Sequence, residues 1–333
     1  MQFKRTTIRI RLASGQGLGL FFDSDGPPLI PDFNADLMFT APFPALSKRS
    51  IPRDSVDGAL NSCGLSQREL NGWLGQKAFL PTQEYVAECR QRENIGFNDV
   101  FLHIWKGSSP ELWTSDIEWT TFYGSFLRRY IQNLTDLSSE QDFLNFMRLV
   151  AARIGHQLNF RDLSEELGIP ETTLNTYLTV FEKTALVYLL PEHSENGRNR
   201  KLQSHKVYFT DTGLCAFLSG WPTKKALMDG AMNDLMLENF VIIEILKSYR
   251  NRSVEPQLYY LRDSDGKEID LLIEENEKIY PIEIKKTASP NPSMVKNFEV
   301  IPEEIRGNGA LVCFVQGDFL LNGEASAIPI SYL

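Results

Sequence analysis

Cysteine and histidine are both scarce. The four cysteines, Cys63, Cys89, Cys215 and Cys313, stand far apart with no C-x-x-C pair, and the four histidines fall outside helical reach of one another. These spacings argue against a disulfide framework and against a zinc site. No apolar run approaches the ~18 residues that a membrane span needs. The basic opening MQFKRTTIRIRLASGQ lacks the uninterrupted apolar core of a signal peptide. The expectation is a soluble protein of a reducing compartment, the cytoplasm. Positive charge is not in excess either, since 34 Lys and Arg against 43 Asp and Glu leave a formal charge of −9. Any contact with nucleic acid must then use a local basic patch, or metal ions that screen phosphate from carboxylate. A phosphate loop ending in Gly-Lys-Ser/Thr is missing too. Gly15, Gly17 and Gly19 lie in a Gly- and Pro-dense stretch over 14–52 that lacks both this ending and the G-x-G-x-x-G spacing, so it reads as loop and no ATP site is expected.

The chain of 333 residues, 42% of them apolar, is long enough for two or three domains with real cores. Patterning firms up from Leu65. Ser66 and Glu69 match a capping box ahead of Leu70, Trp73 and Leu74. FLHIWKGSSPEL over 101–112 predicts a helix, a Gly-Ser-Ser-Pro break and a restart. Large apolar residues at 119, 122, 123, 126, 127, 130, 131 and 134 form a helical stripe, with Arg128 and Arg129 on its solvated or partner-facing edge.

From Glu140 to about Gly220 the sequence predicts a helix carrying Phe143, Phe146, Met147, Val150 and Ile154. A short helix capped by Asn159 follows, then a break at Gly168 and Pro170, and a longer helix from Glu171 to Leu186. This is a helix-turn-helix pattern. Thr172, Thr173, Asn175 and Thr176, near the start of the second helix, suit base edges and phosphates. Two strands, 186–190 and 206–210, flank a loop with Arg198, Arg200 and Lys201. With Lys206 they supply four basic residues against the single acidic Glu195. That reads as a winged helix whose partner is DNA or another protein.

The last hundred residues carry the chemistry. A helix over 233–249 precedes strands at 258–262, 268–274 and 278–285, a helix at 293–300 and a strand at 310–316. The order αβββαβ suits a mixed sheet flanked by helices. Alternation assigns Glu268, Asp270, Leu272 and Glu274 to one face, and Ile269, Leu271 and Ile273 to the other. A turn at 275–277 folds the second and third strands into a hairpin and brings Asp270 across from Ile282 or Glu283. Asp270, Glu283 and Lys285 then converge. Two carboxylates suit a hard cation such as magnesium, which activates water and shields a phosphodiester. Lys285 would orient the attacking water or stabilise phosphoryl charge. Glu238, on the preceding helix, would supply a further ligand or base. A solvated sheet face with cross-strand ion pairs is the bland alternative.

Several stretches carry a family resemblance: GLSQREL, FLPTQEYV, IWKGSSPELW, FLRRYI, the run from Leu149 to Leu190, KVYFTDTGL, LENFVIIEILK and YYLRDSDGKEIDLLIE…IYPIEIKK. Through them the chain resembles, over roughly four-fifths of its length, the prokaryotic AAA-superfamily ATPases that end in a domain of unknown function. The resemblance implies an α/β (α+β) fold with a helical linker at 63–139, a winged helix-turn-helix at 140–225 and a PD-(D/E)xK nuclease-like domain at 226–333. It puts the nuclease motif on Asp270, Glu283 and Lys285, with Asp270 and Glu283 as magnesium ligands, and the helix glutamate on Glu238. Residues 1–62 are unmatched, and the ATPase module that the family carries is expected to be missing or truncated. A DNA- or protein-binding module with a relic nuclease fold is the non-catalytic alternative.

Overall fold

The computed structural model describes Ile8–Ile10, Leu20–Phe22 and residues 64–73, 77–134, 139–193 and 205–333. The chain divides into two units, Met1–Ser62 and Cys63–Leu333. In the first, β1 (Ile8–Ile10) pairs antiparallel with β2 (Leu20–Phe22). Gly15, Gly17 and Gly19 lie outside the described residues.

In the second unit, polar caps and glycine breaks set the helix ends. Ser66 and Glu69 form the expected capping box on α1 (Gln67–Leu70), and Thr82 caps α2 (Gln83–Cys89). The α3 helix (Phe97–Lys106) stops at Gly107, whose φ of 86° a residue with a Cβ rarely adopts. The chain restarts with Pro110 opening α4 (Pro110–Thr114), and α5 (Trp119–Gln132) follows. Next come α6 (Glu140–Ala151), α7 (Phe160–Leu167) and α8 (Glu171–Lys183). Asn159 accepts the Arg161 and Asp162 amides at the start of α7, and Gly168 ends that helix in the left-handed region. Phe143, Phe146 and Phe181 fill the core among these three helices, with ring centroids 5.1 and 5.3 Å from Phe181. The hairpin of β3 (Val187–Leu190) and β4 (Lys206–Phe209) leads into α9 (Thr212–Leu218) and α10 (Lys224–Asp229).

The next helix, α11 (Asn233–Arg250), is buried nearly all round from Met236 to Tyr249, as an internal helix must be. Its buried polar groups are each paired, which is what keeps them tolerable away from water. Asn239 exchanges hydrogen bonds with the Phe209 backbone at 2.7 and 2.9 Å. Glu244 accepts the Gln67 amide at 2.6 Å and the Lys247 ammonium at 2.9 Å, while Lys247 also donates to the Leu65 carbonyl. The internal helix is thereby tied to both β4 and the segment around α1.

A six-stranded mixed sheet packs beside α11 in the order β5-β6-β7-β8-β10-β9. Its strands are β5 (Gln257–Arg262), β6 (Glu268–Glu275), β7 (Lys278–Ile284), β8 (Gly309–Cys313), β9 (Phe319–Leu320) and β10 (Ala325–Pro329). The fold is α+β, as expected, with three departures in this region. Pro292–Val300 winds as a 3₁₀ helix; Pro292 opens the segment and Pro302 closes it, leaving nine residues. The strand read over 310–316 spans Gly309–Cys313. Two further strands, β9 and β10, follow it, and β10 inserts parallel beside β8.

Candidate functional site

The β6–β7 hairpin turns at Asn276 and Glu277, both at positive φ (53° and 61°), as a tight two-residue connection requires. Glu275 pairs with Lys278 and, four steps on, the register sets Leu271 opposite Ile282, so that Asp270 comes opposite Glu283. Of the two registers the sequence allowed, this is the one that joins the carboxylates.

The strict alternation expected along β6 does not hold. Tyr259 pairs with Leu272 but Leu261 pairs with Ile269, so the single residue Tyr260 opposes both Asp270 and Leu271. This is a β-bulge, which bends the strand and re-aims side chains. Ile269 and Leu272, assigned by alternation to opposite faces, consequently share one buried cluster. The bulge falls on Asp270 itself.

Asp270, Glu283 and Lys285 converge. The Lys285 Nζ lies 3.0 Å from Glu283 Oε2 and 3.4 Å from Asp270 Oδ2, and Asp270 Oδ2 also accepts the Ile284 amide at 2.8 Å. Both carboxylates are buried, whereas the Lys285 side chain is 43% exposed and marks the solvent side. Burial, then the Asp270 carboxylate beside it, pushes the Glu283 carboxyl far above the usual carboxylate range, with Lys285 opposing. Burial works against the Lys285 ammonium, but Asp270 and Glu283 outweigh it and hold that group above its ordinary value.

Glu238 reaches this region from α11, but its carboxylate is engaged elsewhere. Its Oε1 accepts the Tyr208 hydroxyl at 2.6 Å and lies 3.6 Å from Lys206 Nζ. Burial and the charge of Asp270 raise its proton affinity against the pull of Lys206 and Tyr208. Lys206 also donates to Glu268 Oε1 at 2.5 Å and stands 5.1 Å from the centre of the Tyr260 ring. Gln157 holds the Tyr260 hydroxyl at 2.5 Å, and the Asn297 amide holds the Glu268 carbonyl at 2.9 Å. The site therefore collects four carboxyl groups, Glu238, Glu268, Asp270 and Glu283, around two ammonium groups, Lys206 and Lys285.

Lys206 corrects the sequence reading. Grouped there with the basic loop, it is buried and turned into the carboxylate cluster, so it adds nothing to a surface patch. Tyr208 was not singled out at all. The available signal was a lysine within the otherwise apolar strand KVYF, which demands a buried acidic partner. Arg198, Arg200 and Lys201 lie outside the described residues. On α8, Thr172 and Thr176 are exposed and Thr173 and Asn175 half-buried. Asn175 donates to the Glu171 carbonyl at 2.8 Å and Thr176 to the Thr172 carbonyl at 3.0 Å. Arg128 and Arg129 are exposed on α5, as expected of an edge.

Two family descriptions match the chain, and the site draws on both matched regions. Residues 234–333, which contain Glu238, Asp270, Glu283 and Lys285, match a domain of unknown function, DUF4143. Residues 98–225, which contain Lys206 and Tyr208, match another domain of unknown function, DUF8612. The chain is also similar to an uncharacterised protein of Mycobacterium bovis and to one of Mycobacterium tuberculosis. Each is 29% identical over 139 residues, covering 42% of this chain and 31% of the relative. The aligned stretch thus spans about a third of the length of the curated relatives it matches. Among the described residues no helix is long and apolar enough to cross a membrane.

Proposed function

We propose that Asp270, Glu283 and Lys285 form the site of a metal-dependent phosphodiesterase acting on nucleic acid, in a nuclease-like domain joined to a winged helix. The resemblance to AAA-superfamily ATPases belongs to the same reading. The observation that carries it is the meeting of two buried carboxylates and a half-exposed ammonium within 3.0–3.4 Å at a strand bulge. The donor set fits a hard divalent cation: both donors are carboxylate oxygens, side by side, and their mutual repulsion favours a cation between them. Among the described residues no group of three or more His, Cys, Asp or Glu side chains is arranged to hold a metal. Asp270 and Glu283 would therefore leave most of the coordination to water, as magnesium accepts. When bound, such a cation supplies an activated water and charge neutralisation at the phosphoryl group.

The remaining roles fall to the chain. Asp270 fixes the end of β7 through the Ile284 amide, which sets where Glu283 and Lys285 point. Lys285, at the solvent side, meets a phosphate oxygen and stabilises its charge. Glu238, with its raised proton affinity, accepts or returns a proton at its carboxylate. Thr172, Thr173, Asn175 and Thr176 on α8, with the basic loop of Arg198, Arg200 and Lys201, are assigned to DNA contact.

The test is cleavage of plasmid and short duplexes in Mg²⁺ or Mn²⁺. Asp270→Ala and Glu283→Gln should each lower the rate by about 100-fold or more, with Mg²⁺ affinity by calorimetry falling in parallel. Cleavage untouched by Asp270→Ala would end this reading. One observation favours a non-catalytic binding module instead, namely that Glu238 is already held by Tyr208 and Lys206. In that case salt-dependent DNA affinity would appear without cleavage.

A further inference from the structure

Just past Lys285, outside the carboxyl ends of the parallel strands β7 and β8, the surface opens into a cleft of about 390 Å³. Crevices at the carboxyl ends of parallel strands are the usual ligand position in open sheets, and this volume lies in the range of small-ligand sites. One wall is aromatic. Phe97, 36% exposed, has its ring 4.8 Å from that of Phe314 and 4.7 Å from that of Phe101. The wall is firmly mounted, because the Phe314 amide donates to the Thr287 carbonyl at 2.8 Å and so continues the β7–β8 ladder. A cation stands at the cleft: Lys286 lines it and is held by the Asn233 carboxamide and, at 3.4 Å, by Asp234. The carboxamides of Asn94 and Gln316 complete the lining. The Asn94 amide donates to Gln316 Oε1 at 3.2 Å and Asn94 Oδ1 accepts the Ser331 hydroxyl at 3.1 Å, so it is the exposed Gln316 that offers amide hydrogens.

We propose that this cleft holds an unpaired base of a single-stranded nucleic acid whose phosphate lies at Lys285, an assignment that rests on the phosphodiesterase reading. An aromatic face serves any base by stacking, Lys286 meets the adjoining backbone phosphate, and the Gln316 amide meets the base edge. Lys285 and Lys286 are consecutive, with Cα atoms ~3.8 Å apart, so the two sites are within reach of one extended strand. A paired base cannot enter without leaving its partner, so the cleft selects single strands or frayed ends over duplex.

The experiment uses the full chain carrying Asp270→Asn, which prevents turnover, and an oligonucleotide with 2-aminopurine, offered single-stranded and as a duplex. Single strand should bind tighter and its fluorescence should be quenched. Adding Phe97→Ala should weaken single-strand binding about 5- to 100-fold and abolish the quench, with duplex affinity unchanged. Phe97→Trp should restore both. Phe97 is a surface residue, and an unchanged melting temperature together with the Trp rescue separates lost stacking from lost folding. Single-strand binding that ignores Phe97→Ala, or an equal loss for duplex, overturns the cleft assignment and leaves Asp270-dependent cleavage standing. Cleavage independent of Asp270, with the Phe97 effect intact, overturns the catalytic reading and leaves the cleft as a binding site. No binding of either form at low salt overturns both.

Discussion

Replacing Lys206 by Met tests the electrostatic core of the site. The side chain is 7% exposed and its ammonium faces Glu268 at 2.5 Å and Glu238 at 3.6 Å. Burial disfavours its charge, yet the two carboxylates prevail and hold the ammonium above its ordinary range. Methionine keeps an unbranched apolar stem and removes the ammonium, with its hydrogen bond to Glu268 and its place over the Tyr260 ring. Breaking a buried pair from one side costs about 3–5 kcal/mol, because the surviving charge is left uncompensated. Glu268, with 34% of its side chain exposed, can rehydrate, but Glu238, at 15%, cannot do so readily. The expected cost therefore sits at the low end, about 3 kcal/mol, or a fall in melting temperature of about 6–10 °C. Adding Glu238→Gln should return about 1–2 kcal/mol by removing the stranded charge. Urea unfolding of the two variants and the parent gives all three numbers. A Lys206→Met chain within about 0.5 kcal/mol of the parent would mean that the cluster is effectively solvated, and the reasoning would fail.

Two further outcomes concern the helical half of the second unit. His103 packs edge-on against Trp113, and its Nδ1 is buried without a hydrogen-bond partner. Burial holds its imidazole down to about 4, against Asp99 and with help from Lys247 and Lys106. Its folded value lies below the unfolded one, so its contribution is complete above about pH 6.5 and is lost as pH falls toward about 4, by up to roughly 3 kcal/mol. His103→Phe should therefore lose less stability than the parent between about pH 7.5 and about pH 5 in urea titrations; identical losses would refute the assignment. Gly107→Ala should unfold the unit or cost more than about 3 kcal/mol. The residue sits at φ 86°, and a Cβ there would collide with the Tyr123 hydroxyl and the Asp211 carboxylate. A soluble, normally melting Gly107→Ala chain would contradict that packing.

Much of the local structure was legible because it is decided within a few residues. Ser66 with Glu69, Asn159 and Gly168 mark helix ends by bonds that close inside one turn. The β6–β7 hairpin was legible for a similar reason, since a short turn between two apolar runs leaves few registers. The 3₁₀ helix and the strands β9 and β10 were not. Segments of two to nine residues carry too little periodicity to identify, and β10 exists only because β8 offers it an open edge.

The candidate site divides in the same way. Asp270, Glu283 and Lys285 could be paired from sequence, because alternation and one turn bring them together. Lys206 could not be placed there, since its partners Glu238 and Glu268 lie 32 and 62 residues away and its burial depends on how the hairpin packs against α11. The sequence by itself determined the elements, their caps and the carboxylate pair, all set by short-range sterics and hydrogen bonds. Tertiary packing alone decided the bulge that re-aims Asp270, the lysine enclosed by distant carboxylates and the aromatic cleft beside Lys285. Each of these depends on contacts between segments that no local pattern encodes.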